Sequence, residues 1–140
     1  MKHFIPYLGF DGQCAQAMRF YEQVLHGRIQ MMMRAGDSPM ADQMPEALRD
    51  NIMHACLVMP DGSMLYGADG CGQPYEGIKG VSITMSFDTV ADAERVFKAL
   101  AEGGKVTMPM APAFWAKTFG AVVDRFGVAW IINGEPLPVQ

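Results

Sequence analysis

Hydrophobic and polar positions follow two rhythms along this chain, and the same succession of rhythms occurs twice. Tyr7-Leu8-Gly9-Phe10-Asp11 reads as a strand that ends at a polar turn, and Gln13 to Leu25 then repeats its apolar positions with the period of a helix. Cys14, Met18, Tyr21 and Leu25 share one face of that helix, while Gln16, Arg19, Glu22 and Gln23 occupy the rest. Asp11 is the expected N-cap, and Gly27 is the residue expected to take a positive φ after the last turn. Extended sequence follows at Arg28 to Arg34, at Met53 to Met59 and, past a Pro60-Asp61-Gly62 turn, at Ser63 to Ala68. The polar, Pro-containing stretch from Gly36 to Arg49 is expected to form a mobile loop over any pocket.

The second half repeats the plan. Ser82 to Asp88 is a strand, and Val90 to Ala101 is a helix with Ala93, Val96, Phe97 and Leu100 on one face, ended by Gly103-Gly104. Lys105 to Met110, Thr118 to Val123 and Val128 to Asn133 are extended, with Asp124 to Gly127 as the turn between the last two. Phe10-Asp11 matches Phe87-Asp88 at a spacing of 77 residues, and Ala17, Tyr21, Val24 and Gly27 match Ala93, Phe97, Leu100 and Gly103 at 76. Each half is thus strand–helix–strand–strand–strand, module one covering about 1–75 and module two about 76–140 of a single domain. A sheet covered by one helix on one face must set its other face against something apolar. The expectation is an α+β fold of two βαβββ modules whose curved mixed sheets enclose a cleft.

Composition narrows the partners. With 140 residues and a hydrophobic fraction of 50% the chain can bury a core without disulfides or structural metal. A net charge of -4 and the absence of any Lys/Arg run argue against nucleic acid. No apolar run reaches the length of a signal sequence or a membrane span, so a cytoplasmic protein is expected. Cys14, Cys56 and Cys71 have no CxxC spacing and no adjacent Lys or Arg, which makes them packing thiols, with Cys71, between two glycines, the one expected to be exposed.

Several local patterns carry a family resemblance. The Phe20-Tyr21-x-x-Val24-Leu25-x-Gly27 helix end and the Asp124-Arg125-Phe126-Gly127-Val128-x-Trp130 hairpin, set within the βαβββ repeat, resemble the glyoxalase/bleomycin-resistance proteins of the vicinal oxygen chelate superfamily. Pro6-Tyr7-Leu8, the Phe10-Asp11-Gly12 turn, Met53-His54-Ala55, Phe114-Trp115-Ala116 and Phe119-Gly120 are similar to its PhnB-like branch. The resemblance implies a cleft between the modules, often completed by a second chain, and in members with known chemistry a divalent metal held by His or Glu. The matching positions here are Pro6, or Ile5 if the register slips by one, then Tyr66 or Gly67, Ser82 and Ile131, none of which is a usual ligand. No metal and no cofactor are therefore expected, and a metal-dependent glyoxalase or dioxygenase is disfavoured. Nor does a strand lead into a Gly-rich nucleotide-binding turn of the kind a methyltransferase reading would want.

What remains is a short roster. Alternation in the third strand of module one sets Met53, Ala55 and Leu57 on one face and His54, Cys56 and Val58 on the other, the face that would line the cleft. His54 is the candidate base, with Asp69 either its partner or the cap of the Gly70-Cys71-Gly72 turn. Tyr7, His54, Trp115 and Phe119 are the candidate ligand contacts, whereas Trp130 belongs to the core. Met31 and Met33 share a face of strand two and Met32 takes the other. The leading expectation is a metal-free homodimer binding a small apolar or planar molecule. The alternatives are an enzyme using His54 with an atypical metal shell, and a structural dimer with a vestigial cleft.

Overall fold

The computed structural model describes residues 3–70 and 74–138, which divide into two compact units, 1–77 and 78–140. The first contains β1 (Tyr7–Phe10), α1 (Cys14–Leu25), β2 (Arg28–Arg34), β3 (Ile52–Val58) and β4 (Met64–Asp69). The second contains β5 (Ile83–Phe87), α2 (Val90–Ala101), β6 (Lys105–Ala111), β7 (Ala116–Val123) and β8 (Ala129–Pro136). The sheets have matching orders, β1-β4-β3-β2 and β5-β8-β7-β6. In each, the first strand runs parallel to the last, and the remaining pairs are antiparallel. The expected α+β architecture of two βαβββ modules with mixed sheets is therefore the observed one.

Each helix buries its apolar stripe on one face of its own sheet. In the first unit Cys14, Ala17, Met18, Tyr21 and Val24 meet Leu8, Phe10, Ala55, Leu57 and Leu65, all buried. Gly67 lets α1 lie close, because a Cβ there would stand 3.2 Å from both Cys14 Sγ and Met18 Sδ. In the second unit Ala93, Val96, Phe97 and Leu100 meet Ala116, Val122, Trp130 and Ile132.

The helix ends depart from expectation in an instructive way. Gln13, not Asp11, occupies the N-cap of α1 and makes no side-chain capping bond. The first-turn N–H of Cys14 instead donates to the Asp69 carboxylate at 3.0 Å. At the other end His26, not Gly27, takes the left-handed conformation, with φ 56°. Gly27 is needed for space, since a Cβ there would lie 3.0 Å from the Val58 carbonyl oxygen and 3.1 Å from Leu57 Cδ1. The repeat thus aligns His26 with Gly103, which has φ 71°, and Gly27 with Gly104. In α2 the Thr89 hydroxyl accepts from Asp92 N at 3.1 Å, an ordinary N-cap.

The stretch between β2 and β3 carries structure of its own: one-turn 3-10 helices at Ala35–Asp37, Ala41–Gln43 and Glu46–Leu48. Its neck is tied by backbone bonds from Ala35 N to Asn51 O and from Gly36 N to Arg49 O, each 2.8 Å. Arg34 adds ion pairs to Asp37 at 2.9 Å and Asp50 at 3.1 Å.

Candidate functional site

The helix-free face of each sheet carries an aromatic cluster. In the first unit, register places Tyr7 beside Tyr66 and Tyr66 beside Cys56, and His54 follows two residues along β3 on the same face. The Tyr7 hydroxyl lies 2.9 Å from His54 Nδ1, and Tyr66 meets the imidazole edge-to-face with centroids 4.9 Å apart. Tyr7 and His54, two of the residues singled out from sequence, are thus in direct contact, and Tyr66 completes the group. Tyr66 earned attention in the sequence only as a metal-ligand position, because the parallel β1–β4 pairing that brings it to Tyr7 leaves no local mark.

Asp69 is not part of this cluster. It is buried on the helix side of β4, where Oδ1 accepts from Cys14 N and Oδ2 accepts from Ile52 N at 2.8 Å. The alternation of β4, with Leu65, Gly67 and Asp69 buried, turns its carboxylate away from His54. Its role is to staple the start of α1 to the start of β3, which neither the His54 pairing nor the turn-capping reading anticipated. The same carboxylate acts on the Cys14 thiol, which burial first and Asp69's charge second push up to about 12. Cys14 is therefore inert packing, and Cys71 lies outside the described residues.

In the second unit Trp115 sits over the open face. Its Nε1 donates to Asn133 Oδ1 at 2.9 Å, and its ring meets Phe119 edge-to-face at 4.9 Å and Phe114 at 4.7 Å. Asn133, which sequence reasoning missed, is flanked in register by Ser86 and Phe119 and donates to Ser86 Oγ at 3.5 Å. The segment is fixed on its main chain as well, by Leu137 N donating to Trp115 O at 2.8 Å. Trp130 lies on the opposite face, 1% exposed, with Nε1 donating to Asp124 Oδ2 at 2.8 Å. The other Asp124 oxygen accepts from Phe126 N and Val128 N, so one carboxylate pins the whole hairpin turn.

The positions matched to metal ligands can be placed within each unit. Tyr66 faces the open side and Gly67 the helix, which settles that choice in favour of Tyr66. Tyr66 pairs with Tyr7 as Ile131 pairs with Thr84, so the counterpart of Ser82 is Ile5, not Pro6. Isoleucine, tyrosine, serine and isoleucine supply no carboxylate and no imidazole, and this donor set does not fit a divalent ion. Among the described residues no three His, Cys, Asp or Glu side chains group so as to hold a metal. No helix among them is long and apolar enough to cross a membrane.

Two βαβββ units with these sheet orders define the vicinal oxygen chelate fold. Comparison with known proteins makes the assignment specific. The chain belongs to the family described as 3-demethylubiquinone-9 3-methyltransferase, whose model matches residues 2–133, the PhnB-like branch of that superfamily. It is 30% identical to Protein YjdN of Escherichia coli (strain K12) over 91% of this chain and 92% of that one. The crystal structure of protein PA1353 from Pseudomonas aeruginosa superposes with a TM-score of 0.87 at 48% identity, covering 95% of this chain and 97% of the other. A PhnB protein from Bacillus cereus shares the fold at 22% identity, with a TM-score of 0.77 over 94% of this chain and 98% of that one.

Proposed function

We propose that this chain binds a small apolar or planar molecule on the helix-free faces of its sheets, without a divalent metal. The observation that carries this reading is Trp115: an indole fixed by Asn133 and braced by Phe119 presents a rigid aromatic wall on a face no helix covers. Indoles held this way supply large contact area without a further loss of side-chain freedom on binding. We place the protein in the cytoplasm as a homodimer. Support for the dimer comes from a sheet edge: β6 is an edge strand with Val106 and Met108 exposed, a surface a second copy would cover.

The test is a fluorescence titration with a neutral planar probe, N-phenyl-1-naphthylamine. Binding should be saturable, and Trp115→Ala should weaken it about tenfold, or about 1.4 kcal/mol, while the urea midpoint moves little. Non-saturable binding, or equal affinity in the variant, rejects the reading. Light scattering that gives the monomer mass at all concentrations removes the dimer.

A second reading has one observation in its favour. The Tyr7 hydroxyl orients His54 through Nδ1 and leaves Nε2 for proton transfer to or from a bound molecule. His54→Phe should then abolish turnover of a substrate while leaving its binding in place.

A further inference from the structure

The open face of the first unit holds a set of donors distinct from the positions matched to divalent ligands. β2 and β3 are in regular register from Met31 to Met33, with Met31 opposite Cys56, Met32 opposite Ala55 and Met33 opposite His54. Ala55 is buried on the helix side, and Met32 lines a groove there with Ala15 and Arg19. Strand alternation therefore sends Met31, Met33, His54 and Cys56 together to the other face. Directly opposed residues in an antiparallel pair have Cβ atoms about 4.5–5.5 Å apart, and the rotatable bonds of methionine can close the remaining distance between donors.

We infer that Met31, Met33, His54 and Cys56 form a binding site for a soft monovalent metal ion, Cu(I) or Ag(I). Thiol and thioether sulfur select Cu(I) over the hard cations that carboxylates hold, and imidazole accepts it readily. The second nitrogen of His54 is already oriented for this role. In the tautomer whose Nδ1–H donates to Tyr7 Oη, 2.9 Å away, the Nε2 lone pair is left for the ion, the arrangement commonly found behind a metal-bound histidine. The Cys56 thiol donates to Gln30 Oε1 at 3.6 Å, a contact it gives up when it loses its proton to the ion. Met31 is 41% exposed, which gives the ion a way in from solvent. On binding, the Cys56 S–H bond breaks, a sulfur–metal bond forms and the proton passes to solvent, with no change of oxidation state.

The second unit supplies an internal control. Met108 stands where the first unit has Met31, but Ala121 replaces Cys56 and Phe119 replaces His54, so only a lone thioether remains. The site does not depend on the small-molecule reading, and either can fail alone.

Anaerobic titration of the protein with Cu(I) against bathocuproine disulfonate tests the inference. One Cu(I) per chain should be drawn from the chelator, Zn(II) should not compete, and Cys71→Ser should change nothing. Cys56→Ser should weaken capture by more than about a hundredfold, and Tyr7→Phe by about tenfold, the scale of a lost outer-shell contact. Met31→Leu and Met33→Leu conserve volume, so they keep the test open should Cys56→Ser fold poorly, and each should weaken capture by at least about tenfold. The inference is overturned if no Cu(I) is taken from the chelator, if the Met31, Met33 and Cys56 variants bind as tightly as the parent, or if capture is lost with Cys71→Ser.

Discussion

The two units share a topology and differ in what they do with it. On the open faces, position for position, His54 in the first unit answers to Phe119 in the second, Cys56 to Ala121, Tyr66 to Ile131 and Tyr7 to Thr84. The first face brings an imidazole, two phenols and a thiol together; on the second an aromatic pair, Trp115 and Phe119, is held by Asn133 beside the hydroxyl residues Thr84 and Ser86. The helix sides differ in the opposite sense. Leu65 fills the first unit's last strand where Trp130 fills the second's, and only the second unit ties that residue to its hairpin turn, through Asp124. The corresponding turn of the first unit is closed at the surface, by Asp61 accepting from Ser63 N at 2.9 Å and from its hydroxyl at 2.6 Å. The titratable cluster thus belongs to the unit whose hairpin turn is closed at the surface, and the aromatic wall to the unit whose turn is tied to a core indole.

The sharpest way to break that contrast is at the two core residues. Trp130→Ala should lower stability by about 3–5 kcal/mol through the cavity alone, and more because Asp124 Oδ2 loses its donor. Leu65→Ala should cost about 2–3 kcal/mol, nearer the lower end of its class, since no hydrogen bond goes with it. Equal shifts of the urea midpoint in the two variants would mean that the second unit is not the more strongly pinned.

The glycines that precede β2 and β6 give a smaller contrast. A Cβ on Gly104 would collide with the Val123 carbonyl oxygen and stand 2.9 Å from Asp124 Cα, both main-chain atoms that cannot step aside. At Gly27 two of the three nearest atoms belong to the flexible side chains of Leu57 and Met59, at 3.1 Å. Gly104→Ala should therefore cost about 3 kcal/mol and Gly27→Ala about 1 kcal/mol, within the range of overpacked cores. Thermal melts of the two variants check the order, and a reversal would refute it.

The smallest effect needs high pH to see. Burial raises the Cys14 thiol from 9.0 to about 12, so in that interval the folded chain keeps a proton that the unfolded chain has lost. The stabilisation is complete below about pH 9 and is lost as pH rises toward 12, at up to about 1.4 kcal/mol per pH unit. Urea midpoints from pH 8 to 10.5 should fall more steeply for the parent than for Cys14→Ala. Parallel slopes would show that the thiol contributes nothing.

Much of this was legible in the linear sequence. Residues three and four apart lie on one side of a helix, and residues two apart on one side of a strand, whatever the rest of the chain does. That periodicity placed α2 at Val90–Ala101 and β2 at Arg28–Arg34, and it set His54 and Cys56 on one face of β3 and Met31 and Met33 on one face of β2. The repeat, too, is a property of the sequence, and with it the order of elements in both units.

Other features depend on which strands lie side by side. Tyr66 reaches Tyr7 through a parallel pairing across 58 intervening positions in the chain, and Asn133 reaches Trp115 across a strand pair. Asp69 was read as a neighbour of His54 or of its own turn because its nearest residues in sequence suggested so. Folding instead turned it toward two backbone N–H groups that would otherwise be buried without a partner, a cost larger than any local turn preference. His26 and Gly27 exchanged roles for a comparable reason: the glycine was required where the Val58 carbonyl presses closest, and an imidazole can adopt the left-handed conformation that the helix end still demanded. Local periodicity fixes which way a side chain points, but only the packed structure decides what it meets there.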